Sequence, residues 1–329
     1  SFNQFFTSSS FKNSTSDIVT HETAMQLSIV YAIIRIISED IASLSYNLIT
    51  NKDGQQLVDY DNPINKLLNK PNDLMSGFHF REAAAMNTVS RGNSYSRIHF
   101  DSRGIVGELE LLNNDDVTVT VERINGRKQI FYHLLGERIP LMSYEMLHYK
   151  GLSGDGIVGI SPISTLKHTI GENISAQNLS QDFYDGGARL SGVLEAPGTL
   201  SEDAYNRIKM SWREKHEGRN STDKTALLEE GMTYKPISLS PVDADILKTR
   251  KFGLEELIRP FRIPLHMVAS LDRSTNNNIE HQALEYVKFC LRQWAKRFEV
   301  EDHLKLIRPK DQSRSYFEHN MESLLRGDT

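Results

Sequence analysis

The sequence predicts an α+β protein: a mixed domain with an antiparallel sheet, long helices, a small α/β module, and a polar loop leading into a long kinked helix. Three observations predict it. Apolar residues recur at helical spacing over residues 22–44 and again over 279–298. Between residues 92 and 150 the pattern shortens to strand-like runs separated by turn residues. Near the end of the chain, prolines and a run of amides divide two helical segments.

Residues 1–20 are rich in Ser, Thr and Asn with scattered Phe, and read as an arm that needs a partner to order it. A helix is expected from Glu22 to Leu44, with Ala24, Leu27, Tyr31, Ile34, Ile37, Ile41 and Leu44 in one buried stripe. Asn62-Pro63 opens a short helix that Pro71 closes, and a further helix covers Phe78 to Ser90. The runs NSYSRIHF, IVGELELL, VTVTVER, QIFYHLL and MLHYK then read as strands of an antiparallel sheet packed on those helices. Asn125-Gly126 is a strong hairpin signal, because both central residues of that turn must accept positive φ.

Ser161-Pro162 starts a helix running to about Tyr184, where Asp185-Gly186-Gly187 stops it. Ser191 to Leu239 reads as a compact α/β module: strand SGVLEA, a helix capped at Ser201, then strands TALLEE and TYKPISL. Its helix and following loop carry Arg207, Lys209, Arg213, Lys215, Arg219 and Lys224. That basic stretch is either a solvated face or a dock for an acidic partner or nucleic acid.

Ser240 suits an N-cap, Pro241 the first helical position, and Asp243 the capping-box acid. Pro260 and Pro264 cannot continue that helix, so it stops near Arg259 and hinges there. Asn277 caps the next helix, which places Ile279, Ala283, Val287, Cys290, Trp294 and Phe298 on one face and Lys288, Arg292 and Lys296 opposite. Between the helices lies a loop without an apolar anchor, including Asp272, Arg273, Ser274, Thr275, Asn276, Asn277 and Asn278. It reads as a presented working element, with a solvated surface turn as the alternative.

Composition narrows the function classes. The 329 residues are 39% hydrophobic and 25% charged, ordinary for a globular protein with more than one folded unit. A net charge of −5 argues against tight, indiscriminate DNA binding, which depends on summed Lys/Arg–phosphate contacts. The single cysteine, Cys290, excludes an intramolecular disulfide and suits a reducing compartment, or a virion assembled in one. The most apolar run, LSIVYAIIRII, carries Arg35 and falls short of the about 20 residues a membrane span needs. Both ends, Ser1 and the terminal RGDT, read as trimmed.

No catalytic constellation emerges. Gly154–Gly159 matches G-x-G-x-x-G, but a meander precedes it and no acid-ended strand follows at the spacing a dinucleotide fold requires, so a backbone-permissive turn is expected. Ser161 sits in half of a nucleophile elbow, with Ile163 where the second glycine belongs, and reads better as a helix cap. No phosphate-binding loop with its lysine occurs. His168/Glu172 and His281/Glu285 each offer two metal ligands without a third, so no metal is expected. Cys290 lies on an apolar stripe as a small core residue. No cofactor is called for, and the chain is not expected to be an enzyme.

The ordered landmarks VTHETAMQLSIVYAIIRIISEDIASL, NPINKLLNKPNDLMSGFHFRE, RGNSYSRI, DGIVGISPI, FYDGGARLSGVLEAP, LLEEGMTYKPISLSPVDADILKTRKFGLEELIRPFRIP and STNNNIEHQALEYVKFCL resemble the HK97-like portal proteins of tailed bacteriophages. The closing YFEHNMESLLRGD matches as well, so the resemblance runs from about Val19 to Asp328. It implies a phage portal fold: an N-terminal arm (1–20), a wing (21–160), a first stem helix (161–187), a clip (188–240), a second stem helix (241–262), a tunnel loop (263–278), a long helix beneath the crown (279–303) and the start of a truncated wing/crown region (304–329). It further implies a ring, typically of twelve copies, replacing one pentamer at a capsid vertex and passing double-stranded DNA during packaging and ejection. The implied partners are further copies of the chain, double-stranded DNA, the large terminase, the head–tail adaptor, and the major capsid and scaffolding proteins; no membrane is among them. The implied location is the virion, after assembly in the host bacterial cytoplasm. The clip cations would then face the motor, and Asp272–Asn278 would line the constriction. One departure stands out: Arg262 occupies a position where the family often has glycine, which implies a stiffer hinge. Two other readings stay open, a ring-forming adaptor that never encloses DNA and an enzyme using the Gly154–Gly159 turn for a phosphate-bearing ligand.

Overall fold

The computed structural model describes residues 19–52, 54–185, 192–195, 198, 201–203, 205–208, 210, 233–236, 252–268 and 282–325. The chain divides into two compact units, Ser1–Gly171 with Glu255–Thr329, and Glu172–Leu254.

The first unit opens with α1 (His21–Met25), whose Thr20 and Thr23 form a reciprocal capping box. After a break at Gln26 and Leu27 comes α2 (Ser28–Ser43). The single helix expected over Glu22–Leu44 is therefore two. Leu27 takes extended backbone while keeping its side chain buried, and this re-phases the stripe. Val30, Ile33, Ile34, Ile37 and Ile41 face inward, whereas Tyr31, expected on the buried face, is 51% exposed.

From Leu44 the chain enters β1 (Ser45–Lys52), paired antiparallel with β2 (Gln55–Val58). Next, Asn62 caps α3 (Pro63–Asn69) through Ile64 N–H, with Pro63 at the first helical position as expected. Ser76 caps α4 (Gly77–Arg91), which packs on α2 and ends at Gly92 in the left-handed region, φ 82°.

The five expected strands all form: β3 (Asn93–Phe100), β4 (Val106–Leu111), β5 (Val117–Ile124), β6 (Arg127–Leu134) and, after β7 (Leu141–Met142), β8 (Met146–Lys150). They make two three-stranded sheets, β4-β3-β8 and β5-β6-β7, where the spacing suggested one. Both edges of β3 are taken by β4 and β8, and a 3-10 turn at Asn114–Asp116 redirects the chain before β5. Tyr95, Tyr132, Leu141 and Met146 form the core that both sheets share. Asn125 (φ 52°) and Gly126 (φ 80°) make the anticipated two-residue turn, with Ile124 opposite Arg127.

Ser161 caps α5 (Pro162–Thr165) by accepting from Ser164 N–H, and a kink at Leu166 separates it from α6 (Lys167–Asp185). The expected stop after Asp185 agrees with that end, but the helix expected to start at Pro162 is interrupted. In the second unit, β9 (Gly192–Glu195) and β10 (Thr233–Pro236) pair antiparallel, and residues 202–203 and 205–208 are helical after Ser201. The strand expected at 225–230 lies outside the described residues.

The chain returns through helical residues 252–258 and, further on, through residues 282–286, a π-helical turn at Val287–Leu291, and α7 (Arg292–Leu306). Then β11 (Ser315–Asn320) comes back beside β1, giving the sheet order β11-β1-β2, and α8 (Glu322–Leu325) follows. Of the face predicted for the long helix, Val287, Cys290 and Phe298 are buried and Trp294 is half-buried; Ala283 is exposed, Ile279 lies outside the described residues, and Tyr286, Leu291 and Ala295 are buried as well. Together the buried residues make one continuous face that runs through the π-helical turn. Lys288, Arg292 and Lys296 are exposed as expected.

Candidate functional site

The described part of the predicted working loop is its base. Helical residues 252–258 tighten into a 3-10 turn at Arg259–Phe261, where Pro260 has no N–H to continue an α-helical ladder. Arg262 then adopts left-handed backbone, φ 58°. Ile263 is buried, and Pro264 leads a second 3-10 turn, Leu265–Met267. Pro260 and Pro264 thus flank one sharp bend, as the sequence indicated.

Three contacts fasten this bend to its surroundings. The Cys290 thiol donates to Phe261 O at 3.0 Å, and Arg262 Nη1 donates to Phe289 O at 3.4 Å. Both partners lie on the π-helical turn, a distortion that frees backbone carbonyls from the regular ladder. One residue earlier, Tyr286 donates to Asp40 Oδ2 of α2 at 2.7 Å. Burial holds the Asp40 carboxyl above its ordinary range and pushes the Cys290 thiol up to about 12, so Cys290 is a packing group and not a nucleophile. The arrangement presents a loop from a fixed root. Arg262→Gly is expected to remove about 1 kcal/mol of left-handed strain while loosening the root. Hydrogen exchange should then show faster opening of residues 262–268 at nearly unchanged thermal stability.

A second junction had no signal in the sequence. Gly92 O accepts from Gly151 N at 2.8 Å, and a Cβ placed on Gly159 would lie 1.9 Å from the same Gly92 O. Asn93 brackets Gly159, its amide donating to Gly159 O at 2.8 Å and its carbonyl accepting from Gly159 N at 2.7 Å. Arg297 of α7 donates to Lys150 O and Gly151 O, and the Ser161 hydroxyl donates to Ser90 O. The start of α5, the end of β8 and the long helix α7 are therefore tied to one point.

The other sequence candidates separate as follows. Within Gly154–Gly159, Asp155 accepts from Ile157 N and Val158 N, and Ser153 Oγ from Gly156 N. The N–H groups a pyrophosphate would need there are already occupied, so the motif is a self-capped turn. Ser161 is a helix cap. Arg207 is exposed; Lys209, Arg213, Lys215, Arg219 and Lys224 lie outside the described residues, as do Asp272, Arg273, Ser274, Thr275, Asn276, Asn277 and Asn278. Among the described residues, no helix is long and apolar enough to cross a membrane.

The family model for phage portal protein matches residues 28–329. This chain belongs to the phage portal protein family. It is 30% identical over 318 residues to the portal protein of Enterobacteria phage HK97, an alignment covering 94% of this chain and 74% of the relative. The probable portal protein of Streptomyces phage phiC31 is 28% identical, with 94% and 70% covered. Among solved structures, a chain from the neck of an empty gene transfer agent particle, computed with C6 symmetry, superposes with TM-score 0.71 at 18% identity, covering 95% of this chain and 85% of that one. A crystal structure of an HK97 family phage portal protein from Corynebacterium diphtheriae gives TM-score 0.61 at 15% identity, with 94% and 97% covered. Phage portal proteins are structural components of the virion that assemble as oligomeric rings at a capsid vertex.

Proposed function

We propose that this portal protein closes into a ring of twelve copies whose bore conducts double-stranded DNA during packaging and ejection, with residues 263–278 as the loop that lines the constriction. The observation that carries this reading is the family match across residues 28–329. The rooted bend at Pro260–Pro264 supports the assignment of the loop, because a segment that meets moving DNA needs a fixed base.

Asp272 and Arg273 offset each other's charge, and Ser274, Thr275, Asn276, Asn277 and Asn278 are neutral hydrogen-bonding groups. Such side chains donate to phosphate oxygens without the counterion-release affinity that clustered Lys and Arg would bring. The loop acts as a low-friction gasket. Changing Asn276, Asn277 and Asn278 together to lysine is expected to slow DNA translocation in a packaging assay; an unchanged rate would overturn the gasket. Arg207, Lys209, Arg213, Lys215, Arg219 and Lys224 belong to the clip, which docks the large terminase and then the head–tail adaptor. The wing, residues 21–160, faces the capsid and scaffolding proteins. Assembly takes place in the host cytoplasm, and the chain's contribution is mechanical rather than catalytic.

A further inference from the structure

The hairpin of β5 and β6 outgrows the core it stands on. Its lower half is packed: Val117, Val119, Ile130 and Leu134 lie against the Tyr95–Tyr132–Leu141–Met146 cluster. Beyond that level every residue from 121 to 129 is exposed on both faces of the ribbon. This free end carries Arg123, Arg127 and Lys128 against one acid, Glu122.

The register makes the charge unfavourable for the chain by itself. Arg123 lies directly opposite Lys128, so two cations share one face at the closest cross-strand spacing. Like charges in that position destabilise a hairpin by up to about 1 kcal/mol. Glu122 pairs with Gln129 on the other face and cannot sit between them. Among the described residues none of the three cations forms an ion pair or side-chain hydrogen bond. Arg91, Arg97 and Arg103, on neighbouring elements, each have a carboxylate partner.

We infer that the free end of the β5–β6 hairpin is a binding tip for the phosphate backbone of duplex DNA, separate from the loop at residues 263–278. The composition favours a polyanion over a protein surface. Residues 122–129 contain one apolar side chain, Ile124, where a protein interface would need a desolvated apolar centre. Flanking the cations are Asn125 and Gln129, amides that donate to phosphate oxygens as readily as to bases. A two-stranded ribbon also has the width that a duplex groove admits. Because the Asn125-Gly126 turn fixes the register, Arg123 and Lys128 are presented together on one face of the ribbon and Arg127 on the other face of the same narrow tip, at no further ordering cost to the backbone.

The test uses the assembled protein and a covalently closed circular duplex, which cannot thread a bore and so reports binding elsewhere on the particle. The triple variant Arg123→Gln, Arg127→Gln, Lys128→Gln is compared with wild type by filter retention between about 50 and 200 mM salt. Each phosphate contact contributes about −0.9 to the slope of log affinity against log salt, so the variant's slope should be shallower by roughly 2 to 3 per hairpin engaged, two contacts from Arg123 and Lys128 and a third where Arg127 reaches round the tip. At the low-salt end its affinity should fall by more than tenfold, whereas Arg123→Lys with Arg127→Lys should keep both affinity and slope. The variant's thermal midpoint should hold or rise, since a like-charge pair is removed, and this separates lost binding from lost folding. Equal affinity and slope in wild type and triple variant would overturn the inference. So would unchanged DNA retention in a variant that no longer joins the capsid protein, since the tip would then be a protein dock.

Discussion

A Gly159→Ala protein is expected to lose several kcal/mol of stability and to melt roughly 10 °C below wild type. The new methyl group would sit 1.9 Å from Gly92 O and 2.9 Å from Gly151 N. Those are backbone atoms, so no side chain can swing aside to make room. Nor can Gly92 retreat: it holds the end of α4 in left-handed backbone, and a Cβ there would in turn lie 2.3 Å from Ile160 O. Separating the strands would break the Gly151–Gly92 hydrogen bond and both Asn93–Gly159 bonds, each about 1 kcal/mol in net terms and more when a buried group is left unpaired. Gly107→Ala is the control, because its Cβ would meet only His99 O at an ordinary 3.8 Å. Differential scanning calorimetry of both variants decides the matter; equal midpoints would show that the junction yields easily. Since α5 starts beside this junction and α7 is bolted to it, ring assembly should fail in Gly159→Ala before the fold itself is lost at growth temperature.

Residues whose effect is local gave themselves away in the sequence. Asn62-Pro63, Asn125-Gly126 and Ser161-Pro162 cap or turn the chain through their own side chains or backbone preferences, and each is found doing so. Strand runs with period-two patterning were equally legible, β3 and β8 to the residue. What could not be read depends on partners remote in sequence. β1 carries no signal of its own because its partner β11 arrives some 270 residues later, with Tyr46 opposite His319 and Leu48 opposite Phe317. Two sheets looked like one because the pattern reports which residues are apolar, not which edge a strand will find. The face of the long helix was legible from Val287 to Phe298, but the π-helical turn within it was not, since one inserted residue is invisible to a periodicity of 3.6. In the G-x-G-x-x-G run the sequence showed that glycines were needed but not why; the reason for Gly159 is Gly92, on a different element. The prolines that end the helix were legible, while the Cys290–Phe261 contact that anchors the bend was not, because a cysteine on an apolar stripe announces only its burial.

Two buried ionisable groups should make opposing contributions to stability between about pH 4 and 6.5, and single substitutions should tilt the profile in opposite directions. Asp302 on α7 is fully enclosed. Tyr46 of β1 donates to one of its oxygens at 2.5 Å and Tyr149 of β8 to the other at 2.7 Å, while Arg81 of α4 and the neighbouring Glu301 add smaller opposing fields. Burial dominates and lifts the carboxyl from 3.8 to about 7. His148 on β8 donates from Nε2 to Asn93 Oδ1 at 2.9 Å, which leaves Nδ1 to accept from the Tyr132 hydroxyl, and it gives its backbone N–H to Glu301. Burial, reinforced by Lys150 and Lys305, drops the imidazole from 6.5 to about 3. Between pH 3.8 and 7 the folded state holds a proton on Asp302 that the unfolded chain has released, so this group's contribution falls as pH rises. Between pH 3 and 6.5 the unfolded chain holds a proton that folded His148 refuses, so its contribution falls as pH drops. Each amounts to roughly 4 kcal/mol across its window, and where the windows overlap they cancel. Asp302→Asn should therefore expose a protein that weakens toward acid, and His148→Gln one that weakens from acid toward neutrality. Urea midpoints measured across the range at fixed salt distinguish them, and parallel profiles for the two variants would show that neither group is perturbed as its surroundings require. Because Asp302 joins α7 to both β1 and β8, the same titration sets how firmly the long helix is held as pH approaches 7.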